Sequence, residues 1–143
     1  MEDRARAWYE LEFPEREVQQ VGFITDDQEQ IGASPDSIVR YTNGAYKPGS
    51  LEIKCLKGNT IVETHMYYRK HEKMPPKYVQ QTQGQMAVGG LAFNDLLFWH
   101  PDLPPLLIRT YPDADFQNKL ATQLGAVLQW RDDIVKHLTS LDT

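Results

Sequence analysis

The chain has 143 residues, a formal net charge of −5, 41% hydrophobic and 24% charged residues, which fits one globular domain and excludes a disordered chain. The negative balance excludes a protein that coats nucleic acid by bulk charge, although phosphate contacts need only a local basic patch. No apolar run approaches the roughly 20 residues that cross a bilayer and Met1 leads straight into Glu2-Asp3-Arg4-Ala5-Arg6 without a signal peptide, so a soluble cytoplasmic protein with no membrane partner is expected.

Residues 2–12 read as the end of a helix with Ala5, Trp8, Tyr9 and Leu11 on its apolar side, stopped by Pro14. Val21 to Thr25 reads as a short strand and Asp26-Asp27-Gln28-Glu29 as the turn after it. Ile31 to Ala33 returns, and Ser37 to Tyr41 continues past the Ser34-Pro35-Asp36 bend. Thr42-Asn43-Gly44 turns the chain, and Lys47-Pro48-Gly49-Ser50 leads into a strand over Leu51 to Cys55. Together these predict an antiparallel meander of three or four strands. Cys55, the single cysteine, cannot form an internal disulfide or a cysteine-based metal site and is expected as a small core hydrophobe.

Residues 58–66 carry no decisive pattern. Residues 66–77 gather Arg69, Lys70, Lys73 and Lys77 with Tyr67, Tyr68 and His71, opposed only by Glu72. They form either a phosphate-contacting patch or a solvated loop. Pro75-Pro76 starts a helix to about Val88, ended by Gly89-Gly90. Strands follow at Asp95 to His100 and Leu106 to Tyr111, joined by a turn over Pro101 to Pro105. From about Asp113 to Leu138 a long amphipathic helix carries Phe116, Leu120, Leu124, Val127, Leu128, Trp130, Ile134, Val135 and Leu138 at helical spacing, a stripe suited to a core or a subunit contact. No repeat or linker divides the chain, so residues 1–143 are expected as a single domain.

Strand alternation places Glu52 and Lys54 on one face of Leu51-Glu52-Ile53-Lys54-Cys55 and the apolar residues on the other. Their Cα atoms are then about 7 Å apart, close enough for both side chains to act on one phosphate. Asp36 follows Pro35 at a bend, and a hairpin returns the chain to Glu52. Magnesium takes oxygen ligands, typically one or two carboxylates with waters and substrate phosphate oxygens. Asp36, Glu52 and the Ile53 carbonyl match that demand, with Lys54 placed to neutralise developing charge. Taken singly, a Glu-x-Lys pair also fits a solvated strand face. On the helix from Pro75, Tyr78, Gln81 and Gln85 share a face, which is either a cleft-facing stripe or a polar outer surface. His65 fits a phosphate contact or a satisfied structural histidine.

In order, Glu2-Asp3-Arg4-Ala5-Arg6-Ala7-Trp8-Tyr9-Glu10, Gly32-Ala33-Ser34-Pro35-Asp36, Leu51-Glu52-Ile53-Lys54-Cys55, Thr64-His65 and Pro76-Lys77-Tyr78-Val79-Gln80-Gln81-Thr82-Gln83, with the paired strands ending at Arg109, resemble the lambda exonuclease family. This family, the YqaJ-like viral recombinases, lies within the PD-(D/E)XK nuclease superfamily. The resemblance implies an α/β restriction-endonuclease-like core, a mixed central sheet of about five strands flanked by helices. It implies Mg2+ or Mn2+ held by Asp36, Glu52 and the Ile53 carbonyl, with Lys54 and Gln81 catalytic beside Asp36 and Glu52. Asp26 and Glu2 match further acids, while Tyr78, Arg69, Lys70, Lys73 and Lys77 are expected at the DNA.

The implied activity is exonucleolytic hydrolysis of double-stranded DNA from 5′ ends, leaving a 3′ strand for a single-strand annealing protein. Some members act as a homotrimer, and a phage or prophage origin in a bacterial host cell follows. Ser37 stands where the family has glycine and Leu56 where it has proline, both expected in loops. The family's N-terminal helical segment, which grips the 5′ phosphate, is expected to be missing, since the chain starts at the acidic helix. Rival readings are a nicking or structure-specific endonuclease, which would cut a closed circle, and an inactive DNA-binding or assembly module, which would show no metal-stimulated turnover.

Overall fold

A computed structural model of the chain describes residues 1–22, 24–25, 32–33 and 35–141, with side chains for all of these except 24, 25, 32, 33 and 141. The chain forms two compact units, Met1–Pro112 and Asp113–Thr143.

The first unit holds helix α1 (Glu2–Glu12), strands β1 (Arg16–Gln20), β2 (Ile24–Thr25), β3 (Gly32–Ala33), β4 (Ser37–Tyr41) and β5 (Gly49–Cys55), helices α2 (Gly58–His71) and α3 (Pro76–Gly89), and strands β6 (Asn94–His100) and β7 (Leu103–Thr110). Five strands form one sheet in the order β1-β4-β5-β6-β7, and β2 pairs with β3 in a separate ribbon. Among the described strands only β5 and β6 run parallel, because the α2–α3 excursion between them returns the chain to the same end of the sheet. This is the mixed α/β sheet that the motifs implied. The meander is real but differs in membership. The strands expected within residues 21–25 and 31–33 are present as β2 and β3 but pair only with each other, and the main sheet instead opens on β1 at residues 16–20, with Arg16 opposite Tyr41 and Gln20 opposite Ser37.

β6 is buried on both faces, as its unbroken Leu96-Leu97-Phe98-Trp99 run requires. Leu97 and Trp99 join Ala5, Tyr9, Val39, Leu51, Ile53 and Phe93 under α1. Leu96 and Phe98 join Ile61, Met74, Tyr78 and Ile108 beneath α2 and α3. The sheet therefore separates an α1 layer from an α2–α3 layer, and strand parity decides which layer each side chain enters.

Residues 58–66 belong to α2, with Ile61 and Thr64 on its buried side. Helical character extends into the basic segment as far as His71, and Arg69 and Lys70 occupy the last turn of α2, where cations suit the carbonyl end of the helix. Lys77 lies in the first turn of α3, behind Pro76 at a position needing no amide donor. Gly90 closes α3 in the left-handed region at φ 60°, and the Leu91 amide donates to Met86 at 2.9 Å. β7 starts at Leu103 and so includes Pro104 and Pro105, expected in the turn. As an edge strand it tolerates residues that lack an amide donor.

Two further expectations change. Cys55 is exposed rather than a core residue, because β5 ends there and its apolar alternation stops at Ile53. Ser37 lies in β4, not a loop, and is fully buried.

The second unit is helix α4 (Ala114–Leu141), started by the Asp113 carboxylate accepting from the Phe116 amide at 3.1 Å. Along it Val127, Trp130, Val135 and Leu138 are each more than half exposed. Among the described residues no helix is long and apolar enough to cross a membrane.

Candidate active site

β4 and β5 part company at one point. Their antiparallel register ends with Ser37 opposite Leu51, whereas β5 runs on to Cys55 beside β6. Beyond Leu51, the edge of β5 that faces β4 has lost its strand partner. The Pro35-Asp36 bend fills that gap with a side chain. Asp36 Oδ2 accepts from the Ile53 amide at 2.6 Å, and the Asp36 amide donates to Glu52 Oε2 at 3.3 Å. The Ile53 carbonyl lies on the same edge as its amide, on the side that β4 has left. Two carboxylates and a main-chain oxygen thus come together at the end of one ladder.

Glu52 enters the α2–α3 layer, as its pairing with Leu96 dictates. It is 7% exposed. Gln81 Nε2 donates to its Oε1 at 3.2 Å, and Lys54 Nζ lies 3.7 Å from the same oxygen. Gln85 Nε2 donates to Oε2 at 3.1 Å. Burial pushes the Glu52 carboxyl above its ordinary value, with the Asp36 charge acting the same way and the Gln85 hydrogen bond and Lys54 opposing. Glu2, in the first turn of α1, faces Asp36, and a proton shared between the two carboxyls, together with the Asp36 charge, raises the Glu2 carboxyl as well. Arg6 braces Glu2 at 3.8 Å and reaches Ser37 Oγ at 3.4 Å.

Asp36, Glu52, Ile53, Lys54, Gln81 and Glu2 are therefore neighbours, drawn from three elements and one bend. Asp26 lies outside the described residues. Arg69, Lys70, Lys73 and Lys77 are all exposed, as phosphate contacts require. Tyr78 departs from expectation. It is buried at 7% exposure, its ring 5.2 Å from that of Phe98. Tyr78 shares the buried side of α3 with Gln85, but two turns earlier, where that side packs on Phe98 rather than on Glu52. His65 Nε2 lies 2.7 Å from the Pro104 carbonyl, a contact that ties the ring to β7.

On the α1 face, sequence reasoning missed a buried ionic cluster. Asp95 is fully buried and accepts from Arg109 Nε at 2.7 Å and Nη2 at 2.8 Å, from Tyr9 at 2.6 Å and from Arg16 at 3.3 Å. Burial, then the Asp95 charge, pushes the Tyr9 phenol up, so it remains a donor. No motif marks this cluster, because its members are scattered from α1 to β7.

The donor set at β5 suits a hard cation, being oxygen throughout, with the Asp36 charge close enough to add to the raised proton affinity of Glu52. Among the described residues no group of three His, Cys, Asp or Glu side chains closes into a cage by itself. Two carboxylates and a carbonyl make a half-shell, which matches an ion that keeps water and takes substrate oxygens.

The family model of the YqaJ-like viral recombinase domain matches residues 1–92, a span that includes each of these β5-site residues. Among solved structures, an alkaline exonuclease from Laribacter hongkongensis, LHK-Exo, is similar at 31% identity and a TM-score of 0.74, over 96% of this chain and 68% of that one. LHK-Exo in complex with dAMP is similar at 30% identity and a TM-score of 0.74, over 96% of this chain and 67% of that one. No curated protein matches the chain.

Proposed function

The chain belongs to the YqaJ-like viral recombinase family, and from that premise we propose that it is a metal-dependent deoxyribonuclease degrading linear duplex DNA from 5′ ends. The observation that carries the reading is the convergence of Asp36, Lys54 and Gln81 on the buried Glu52 carboxylate. A buried acid among donors, beside a second acid, is an arrangement expected of a site that binds a cation rather than of a solvated strand face.

Asp36, Glu52 and the Ile53 carbonyl hold the ion in this reading. Bound Mg2+ or Mn2+ supplies Lewis-acid polarisation of the phosphate and a water of lowered pKa. Lys54 is tethered to Glu52 and directs its ammonium donors to the attacking water or a non-bridging phosphate oxygen, where negative charge develops. Gln81 is only half-buried, so its amide orients on Glu52 while remaining open to the cleft. Arg69, Lys70, Lys73 and Lys77 take phosphates farther along the duplex.

Two measurements test the reading. Linear duplex with 5′-phosphate or 5′-hydroxyl ends should be degraded when Mg2+ is present and spared under chelation, while a closed circle stays intact. Lys54→Ala should lower the rate by about 100-fold or more with unchanged melting and Mn2+ binding. A fully active Lys54→Ala protein removes Lys54 from the mechanism, and nicking of the circle replaces the exonuclease reading with the endonuclease one.

A further inference from the structure

We propose that Gln85, held by Asn94, is a positioning residue for Glu52, and that this buried pair sets the affinity of the site for its divalent cation. The inference rests on the nuclease reading above. Gln81 and Gln85 stand one helical turn apart on α3, and each amide donates to a different oxygen of Glu52. Their surroundings differ. Gln81 is half-buried, whereas Gln85 is 4% exposed and its Oε1 accepts from Asn94 Nδ2 at 3.0 Å. The same Asn94 amide group donates to Ser50 Oγ at 2.8 Å. Asn94 and Ser50 are register partners on the parallel β5–β6 ladder, both fully buried.

The polarity of this chain runs one way. A carboxylate only accepts, so Gln85 must turn its NH2 to Glu52 and its oxygen to Asn94, which must then donate. Reversing the Asn94 amide would oppose two oxygens and drive Gln85 to aim its own oxygen at the Glu52 carboxylate. Asn94 Oδ1 is left buried without a hydrogen-bond partner, an unfavourable state that this polarity entails. Glu52 Oε2 is thereby clamped by Gln85 and the Asp36 amide. Oε1, shared by the half-buried Gln81 and Lys54, is the oxygen left to meet a cation. Partners that orient a metal-ligating carboxylate typically change metal affinity or activity by about 10–100-fold when removed.

The test uses the full chain as Gln85→Met, which keeps the shape and loses both hydrogen bonds, and as Asn94→Asp, which reverses the polarity. Mn2+ binding is measured by calorimetry without DNA, and cleavage of linear duplex is measured across a Mg2+ titration. In each variant the Mn2+ Kd and the half-saturating Mg2+ concentration should rise about 10–100-fold, and the rate at saturating metal should fall by less than the affinity does. Melting curves establish folding, and if one variant does not fold the other decides. A folded variant with wild-type metal affinity overturns the inference, whether or not its saturated rate falls. A wild-type protein that neither binds Mn2+ nor cleaves DNA overturns the nuclease reading, and this inference with it. Wild-type binding and cleavage beside an unaltered Gln85→Met overturns this inference alone.

Discussion

Glu2, Asp36 and Glu52 crowd three carboxyl groups around the end of the β4–β5 ladder, and two of them hold protons more tightly than ordinary acids. For Glu2 the ordinary value is 4.5 and the folded value is higher. Between those two values the folded state binds more protons than the unfolded one, so stability falls as pH rises through that window. Above the window the whole penalty is present, and below 4.5 it is gone. Glu2→Gln should therefore melt at higher temperature than the wild type in chelator at about pH 8, with the gap closing as pH falls towards 4. A melting difference of the same size at every pH would show that charge crowding is not its cause. Saturating Mg2+ should reduce or reverse the gap, since the cation stabilises the folded state that keeps its acids.

At the level of elements, the site exists because β5 outruns β4, and β5 is seated by an unusually close approach at its start. A Cβ built on Gly49 would lie 2.3 Å from the nearest ring carbon of Phe93. That ring is fully buried, with the Arg109 guanidinium 3.9 Å from its centroid, so it has little room to yield. Gly49→Ala should destabilise the fold by about 1–3 kcal/mol through overpacking, measured by urea denaturation. The double variant with Phe93→Leu should recover part of the loss, because touching residues couple. Strict additivity would place the strain elsewhere. The edge strand β7 illustrates the opposite tolerance, since it carries two prolines and uses the Pro104 carbonyl to hold His65.

Across the first unit, the sheet divides its chemistry by face. The Asp95 cluster braces the α1 side, linking α1 through Tyr9, β7 through Arg109 and the start of β1 through Arg16, while Glu52 and its glutamines occupy the α3 side. The net charge of −5 is compatible with DNA binding because Arg69, Lys70, Lys73 and Lys77 lie exposed on one stretch of chain at the α2–α3 junction. Lys70→Glu with Lys73→Glu should weaken duplex binding and lower the slope of log affinity against log salt by about 2, since each phosphate that a lysine neutralises adds roughly 0.9 to that slope. An unchanged slope would move the DNA path away from this junction.

Local pattern determined much of this protein. The alternation of Leu51-Glu52-Ile53-Lys54 placed Glu52 and Lys54 together, Pro76 and Gly90 bounded α3, and the ordered motifs named the family, because each depends on residues close in sequence. Exposure of Cys55 and the strand membership of Ser37 depend instead on where β5 and β4 begin and end, and burial of Tyr78 on the Phe98 ring that α3 covers. Gln85 was legible as one of a polar stripe, but its grip on Glu52 comes from Asn94, nine residues on in strand β6. The Asp95 cluster joins residues as far apart as 86 positions. A charge or an amide acquires its role from the low-dielectric space and the partners around it, and these are created only when the strands and helices meet.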